Sequence, residues 1–240
     1  MPQIDSNNGL FFRNNTWDID IFNSITIADE YGFFLPDDFR LQWEGDFIDV
    51  GCHIGSVSHL MYTHGKAKHI YAIEPDPGNF AMSYINLYPG ISESKITLFN
   101  RCIAASRDAL CCGSYPAVGL NITADKEINK KINTGGGAWN HKKNWPELYT
   151  QRSIHIDDVI TMCHTGSVLL KLDCEGCEYT IFKNSEKLNM VDYIFGEFHG
   201  CSEEFKQILI DTSKKWNYDY TIDTTIDGAM GYFTLKRQAK

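Results

Sequence analysis

The sequence predicts an α/β fold: a Rossmann-like three-layer sandwich with a mostly parallel sheet and an antiparallel C-terminal edge strand. Three observations predict it. Residues 47–74 read as strand, glycine turn, helix, strand, and further apolar strand patterns at 96–99, 168–172 and 191–198 alternate with helical ones. The chain ends in two strand-like runs, 218–222 and 232–236, spaced for a hairpin rather than for a crossover helix. A length of 240 residues suits one large domain, and 43% hydrophobic with 22% charged residues is a globular composition.

In chain order, residues 1–45 are expected to form an N-terminal hairpin or cap. Residues 9–27 alternate loosely, with Leu10, Phe11, Phe12, Trp17, Ile19 and Ile21 around the turn formers Asn14 and Asn15. The aromatics are expected to pack, with Tyr31 a candidate neighbour of cofactor or substrate. Pro36, Asp37 and Asp38 open a turn or short helix before the core domain, expected over 46–240. There, 47–50 form a strand, Val57, Leu60 and Met61 lie on the following helix, and 70–73 form a strand ending on Glu74. Asp76 caps a helix with Pro77 at its first position and Phe80, Tyr84 and Leu87 on one face. Residues 107–151 lack a sustained period and carry Gly135, Gly136 and Gly137 followed by Trp139 and Trp145. Two readings are open: a substrate cover hinged on glycines, or a mobile insertion anchored by its tryptophans. Residues 153–156 lead into a helix capped near Asp157, and 168–172 form the most apolar strand, ending at Asp173. A helix begins at Glu178, and 191–198 lead to Glu197, Phe198 and His199. Ser202 caps a last helix, acidic at its start (Glu203, Glu204) and basic at its end (Lys214, Lys215), with Phe205, Ile208, Leu209 and Thr212 on one face.

The acids Asp49, Glu74, Asp173 and Glu197 all fall at strand ends, the edge where open α/β sheets bind ligands. Gly51 and Gly55 allow close backbone approach, and the helix behind them presents free N–H groups. Glu74, 19 positions after Gly55, is placed to accept from both ribose hydroxyls of a nucleoside. The spacing Gly-x-x-x-Gly differs from that of a pyrophosphate loop, and Asp49 suits an ammonium group, which favours S-adenosylmethionine over NAD. An NAD-dependent oxidoreductase and a non-catalytic nucleoside-binding protein are the rival readings on the same fold.

Four ordered blocks then resemble the FkbM-type methyltransferases: residues 49–55, 73–77, 156–159 and 171–178. The family usually has Ala-Asn where Cys52 and His53 stand, and small or aliphatic residues at Cys174 and Cys177. The resemblance implies S-adenosylmethionine as methyl donor and O-methylation of a small molecule, a sugar or glycan or a secondary metabolite. It implies a cofactor site at Asp49, Gly51, His53, Gly55, Glu74, Pro75 and Asp173. Ile103 and Ala104 are expected beside the adenine, although a plain core strand end explains them equally. Proton removal from the acceptor is expected of His199, whose ordinary pKa suits it, with Asp173 orienting the acceptor or the histidine. Glu175 and Glu197 are further catalytic or acceptor-binding acids, with Glu175 and Glu178 read alternatively as braces of the turn. Trp139, Glu197 and His199 are the expected acceptor contacts, and Lys171 is expected to pair with Asp173 or Glu197.

A net charge of −9 disfavours a nucleic-acid partner, the stretch 126–131 and Lys142, Lys143 being the only basic candidates. No apolar run reaches the ~20 residues of a membrane span, so a soluble protein is expected, with homo-oligomers compatible. Eight scattered cysteines and no signal peptide favour a reduced, cytoplasmic setting. Cys174 and Cys177 have zinc or redox spacing, but no second ligand pair matches it. They are expected to be packing residues without a disulfide, and no residue is assigned as a metal ligand, with a requirement for a divalent metal left open.

Overall fold

The computed structural model describes residues 4–7, 9–113, 139–140, 150–224 and 229–238. β1 (Ile4–Asn7) and β2 (Leu10–Arg13) pair as an antiparallel hairpin, followed by α1 (Asp18–Thr26) and a 3-10 turn at Arg40–Gln42. β3 (Asp46–Val50), α2 (Ser56–Thr63), β4 (His69–Ile73), α3 (Pro77–Ser92) and β5 (Ile96–Phe99) form the first parallel half of the main sheet. β6 (Cys102–Ile103), β7 (Leu110–Gly113), β8 (Trp139–Asn140) and β9 (Thr150–Ile154) make a small separate sheet in the order β6-β9-β7-β8. α4 (Ile156–Met162), β10 (Val168–Leu172), α5 (Cys177–Asn184), β11 (Tyr193–His199), α6 (Ser202–Trp216), β12 (Tyr218–Thr224) and β13 (Met230–Arg237) complete the chain.

The main sheet runs β12-β13-β11-β10-β3-β4-β5, parallel from β5 to β11, with β13 antiparallel to β11 and β12 antiparallel to β13. Its central strands β3 and β10 are buried along their whole length. That follows from their sequences, because a strand covered on both faces reads as a continuous apolar run. Alternation assigns the faces. Ile48, Leu170 and Ile194 pack with Val159 and Ile160 of α4, Ile181 and Phe182 of α5, and Phe205 and Leu209 of α6. Phe47, Leu169 and Phe195 pack with Ile25 of α1, Val57, Leu60 and Met61 of α2, and Leu87 of α3. The result is the expected three-layer sandwich.

Three local expectations are corrected. The run containing Trp17, Ile19 and Ile21 enters α1 rather than a strand, because Arg13 grips Asp18 through its backbone N–H (3.0 Å), Nε (2.8 Å) and Nη2 (2.8 Å) and so turns the chain at the helix start. α3 buries Met82, Ser83, Asn86 and Leu87, while Tyr84 faces solvent. Asn86 belongs inside because its amide accepts from the Phe11 N–H (2.7 Å) and donates to the Ile54 carbonyl (2.9 Å), joining the N-terminal hairpin to the turn after β3. Ser202 is the first residue of α6, with Cys201 at the cap position. Most of 107–151, including Trp145 and the glycine run, lies outside the described residues, so neither reading of that stretch is addressed. Among the described residues no helix is long and apolar enough to cross a membrane.

β3 and β10 close on each other at their carboxyl ends, where Asp173 N–H donates to Val50 O at 3.1 Å. Gly51 sits there with φ 76°, and a Cβ would fall 1.7 Å from the Asp173 carbonyl oxygen. Backbone cannot yield that distance. Gly51→Ala is therefore expected to cost roughly 3 kcal/mol or more. Urea denaturation of the variant checks it, and a loss under about 1 kcal/mol would mean that this closure is not tight.

Candidate active site at the carboxyl edge of the sheet

The turn after β3 wraps around Glu74. Gly51 and Cys52 donate their N–H groups to Ile73 O (3.0 and 3.1 Å), which turns the chain back over the end of β4. His53 then takes φ 53° and directs its N–H to Glu74 Oε2 at 2.9 Å, while the Asp76 N–H donates to Oε1 at 2.9 Å. Burial pushes the Glu74 carboxyl up to about 8. Asn100 holds the Glu74 and Pro75 carbonyls (2.9 and 3.2 Å), and Asp76 caps α3 through the N–H groups of Gly78 and Asn79. Gly55, at φ 90°, starts α2 without a side-chain cap, and its Cβ would meet Leu87 at 2.9 Å. The N-terminal cap reaches this loop through His53, whose Nε2 lies 3.5 Å from Asp18. Burial lowers the His53 pKa to about 4 against the pull of Asp18, so this imidazole is neutral at pH 7.

Beneath the loop lies Lys171, 3% exposed, donating to Gly51 O at 2.9 Å and facing Asp49 Oδ1 at 3.3 Å and Asp173 Oδ2 at 3.5 Å. It pairs with Asp173, as expected, and with Asp49 besides. Asp49 accepts from Ser58 Oγ at 2.7 Å, and its other oxygen has no hydrogen bond. Ser56 Oγ at the start of α2 is likewise buried without a partner. Both glycines are required by close packing against the protein, at Asp173 O and at Leu87, so the expected close approach to a ligand is not what they serve here. The acid at the neighbouring strand tip and the buried Ser56 hydroxyl without a hydrogen-bond partner are the groups that fit the ribose and amino-acid ends of S-adenosylmethionine.

The neighbouring strands carry a second group. Asp173 accepts from the Tyr31 hydroxyl at 2.7 Å. Tyr31 is set there by Arg40, which donates to its carbonyl and lies 4.7 Å from the ring centroids of Phe33 and Phe195. Burial raises the Asp173 carboxyl, but Lys171, His199 and the Tyr31 hydrogen bond outweigh it and hold it below the usual range. His199 Nε2 lies 3.6 Å from Glu175 and 3.9 Å from Glu197, and Nδ1 lies 3.8 Å from Glu178. Burial pushes Glu197 up to about 7, reinforced by the Asp173 charge. Burial opposes charge on His199, yet Glu178, Glu175 and Asp173 overcome it and raise it to about 9. This corrects the premise that a histidine here has its ordinary pKa. The ring holds its proton at neutrality because carboxylates crowd it.

The sequence-predicted residues thus form two adjoining groups, one around Gly51 and Glu74 and one around Asp173, Glu175, Glu197 and His199. Ile103 and Ala104 are buried, Ile103 in the main core and Ala104 against Cys102 and Cys111, as a plain strand end would be. Trp139 falls in β8, and its side chain lies outside the described residues. Glu178 braces its turn, accepting from the N–H groups of Cys174 and Gly176 at 2.8 Å each. Cys174 and Cys177 are joined by a disulfide, which corrects the expectation of unpaired packing residues. Positive φ at Glu175 (55°) and Gly176 (105°) folds the turn so that their Cα atoms lie 5.4 Å apart, within bridging range. The sequence reading missed Arg13, Asp18 and Glu30. Arg13 and Asp18 are opposite charges five positions apart across a turn, a visible but weak signal. Glu30, linked to Ser24 and raised chiefly by burial and then by Asp173, left none. A groove lined by Leu35, Phe39, Tyr193 and Lys236 lies at the opposite, amino end of β11 and adds nothing to this edge.

The profile of the Methyltransferase FkbM domain matches residues 49–222, which span both groups. No curated protein matches the chain. Among solved structures, the FkbM methyltransferase from Methylobacillus flagellatus KT is similar at 15% identity and a TM-score of 0.52, over 85% of this chain and 47% of that one. The chain therefore spans about half the length of that structure. A putative transferase from Pyrococcus horikoshii is similar at 11% identity and a TM-score of 0.49, over 99% of this chain and 72% of that one. A putative tRNA (m1A22) methyltransferase from Streptococcus pneumoniae is similar at 12% identity and a TM-score of 0.44, over 90% and 71%. With the family profile covering well over half of its length, the chain belongs to the FkbM methyltransferase family.

Proposed function

We propose that this chain is an S-adenosylmethionine-dependent O-methyltransferase that modifies a hydroxyl of a small molecule, a sugar or glycan or a secondary metabolite. The observation that carries the reading is the adjacency of the two groups at one sheet edge: a glycine turn wrapped on Glu74, and beside it a wall of Asp173, Glu175, Glu197 and His199. The cofactor, when bound, supplies an electrophilic methyl group. Gly51 and Gly55 let the turn pack against Asp173 and Leu87 and so set its shape. Glu74 accepts from the ribose hydroxyls, and Ser56 Oγ, buried without a hydrogen-bond partner, faces the amino-acid end beside the Lys171-paired Asp49. Lys171 fixes the height of the turn against β10.

The wall orients the acceptor, and alignment alone supplies much of the rate of such displacements. A hydroxyl also has to lose its proton as it is methylated. Glu197, pushed up to about 7, is the group at hand to take it, while His199, which holds its own proton at neutrality, orients the acceptor and becomes a base only above about pH 9. The net charge of −9 supports a small acceptor over a nucleic-acid backbone.

Calorimetry with S-adenosylhomocysteine tests the cofactor half. Glu74→Ala is expected to weaken binding tenfold or more, about 1.5–3 kcal/mol for a hydrogen bond to a charged group, in a variant that remains folded. Unchanged affinity would refute the assignment. Because Glu74 titrates at about 8 and its ionised form is the better acceptor, wild-type affinity should rise relative to Glu74→Gln as pH increases through that value. Parallel curves for the two proteins would remove Glu74 from the ribose. For the acceptor half, His199→Ala should lower kcat by ~10²–10⁴ and leave S-adenosylhomocysteine affinity within about twofold. An acceptor screen with labelled methyl donor measures it. Tight cofactor binding with no transfer to any hydroxyl compound would favour the non-catalytic reading.

A further inference from the structure

One ligand atom from each of Asp173, Glu197 and His199 lies within 4.8 Å of the others. Two carboxylates and an imidazole from the ends of β10 and β11 are a donor set for a divalent first-row cation, and the spacing allows all three to meet one ion after small rotations. The imidazole supports this in its own right. His199 Nε2 points to Glu175 and Glu197 at 3.6 and 3.9 Å, beyond hydrogen-bond length, and Nδ1 is buried with no hydrogen bond. Glu178 Oε1 stands 3.8 Å behind Nδ1, itself fixed by two backbone N–H groups. A carboxylate behind the far nitrogen is how metal-ligating histidines are commonly oriented. Tyr31, on Asp173 Oδ2 at 2.7 Å, orients the second ligand.

Charge and access agree with an ion here. Glu30, Asp173, Glu175, Glu178 and Glu197 interact electrostatically around this point. Lys171, the buried cation beside them, is shared between Gly51 O, Asp49 and Asp173 Oδ2 (3.5 Å), so it offsets only part of this charge. The three ligand side chains are 14–27% exposed, so an ion has a route in and open positions toward solvent.

We propose that Asp173, Glu197 and His199 form a divalent-cation site of Mn²⁺ type that binds the acceptor hydroxyl. The cation draws electron density from that oxygen, and the hydroxyl proton leaves to solvent without a protein base. The ion site stands on its own geometry, and its role rests on the methyltransferase reading above.

The test uses the full chain, stripped of metal by chelator and titrated with MnCl₂ while free Mn²⁺ is followed by electron paramagnetic resonance. One saturable site per chain is expected, with nitrogen coupling in the pulsed spectrum from one imidazole. His199→Ala should remove that coupling and weaken Mn²⁺ binding at least tenfold. Glu197→Gln should weaken it similarly while keeping the coupling, which serves if the histidine variant does not fold. No saturable binding in the wild type, or affinity and coupling unchanged in either variant, overturns the site. S-adenosylhomocysteine binding in the same samples separates the two ideas. Cofactor binding without Mn²⁺ binding defeats only the metal site, and Mn²⁺ binding without cofactor binding defeats only the methyltransferase reading.

Discussion

The rest of the site depends on one buried cation. Lys171 is 3% exposed, on the central strand, and touches the glycine turn at Gly51 O, the tip of β3 at Asp49 and the tip of its own strand at Asp173. Burial works against its charge, and the two carboxylates more than restore it, raising its pKa above the ordinary lysine value. Each partner needs the others. Without the ammonium, Asp49 would be a fully buried anion beside the partly exposed Asp173, and breaking a buried pair by removing one partner typically costs about 3–5 kcal/mol. Without the carboxylates the lysine could not stay charged under the turn. The height of the turn, the tilt of Asp173 toward Tyr31 and the join between β3 and β10 are therefore fixed by one electrostatic balance.

Why the ligand edge lies here is a matter of strand order. Reading outward from β3, the chain proceeds through β4 and β5 on one side and through β10 and β11 on the other. The connections thus leave a crevice between β3 and β10 at their carboxyl ends, the topological switch point where open sheets bind ligands. Gly51 and Glu74 lie on one side of that crevice and Asp173, Glu197 and His199 on the other. The two groups of residues meet because the chain turns back there.

That much was legible in the sequence, because it rests on local patterns. Continuous apolar runs mark strands buried on both faces, the glycines mark a turn with positive φ, and acids at strand tips identify the edge. What was not legible depends on partners distant in sequence. Trp17, Ile19 and Ile21 read as extended until Arg13 is seen to grip Asp18. The buried face of α3 depends on Asn86, which only the hairpin and Ile54 explain. The Cys174–Cys177 bridge depends on left-handed backbone at Glu175, which a residue other than glycine does not announce.

The proton on His199 shows the same limit in energetic form. An isolated histidine at a strand end suggests a base, because its intrinsic pKa lies near neutrality. Its actual charge is set by Glu175 from the following turn, Glu178 from α5 and Asp173 from the neighbouring strand. Burial alone would have made it neutral, and only the sum of three carboxylates reverses the sign. Residue type and position along a strand therefore identify which group stands at the sheet edge, whereas its protonation belongs to the whole edge. The same crowding that keeps a proton on this ring is the crowding that a divalent ion would relieve by displacing that proton, so imidazolium and metal ligand are competing states of one ring.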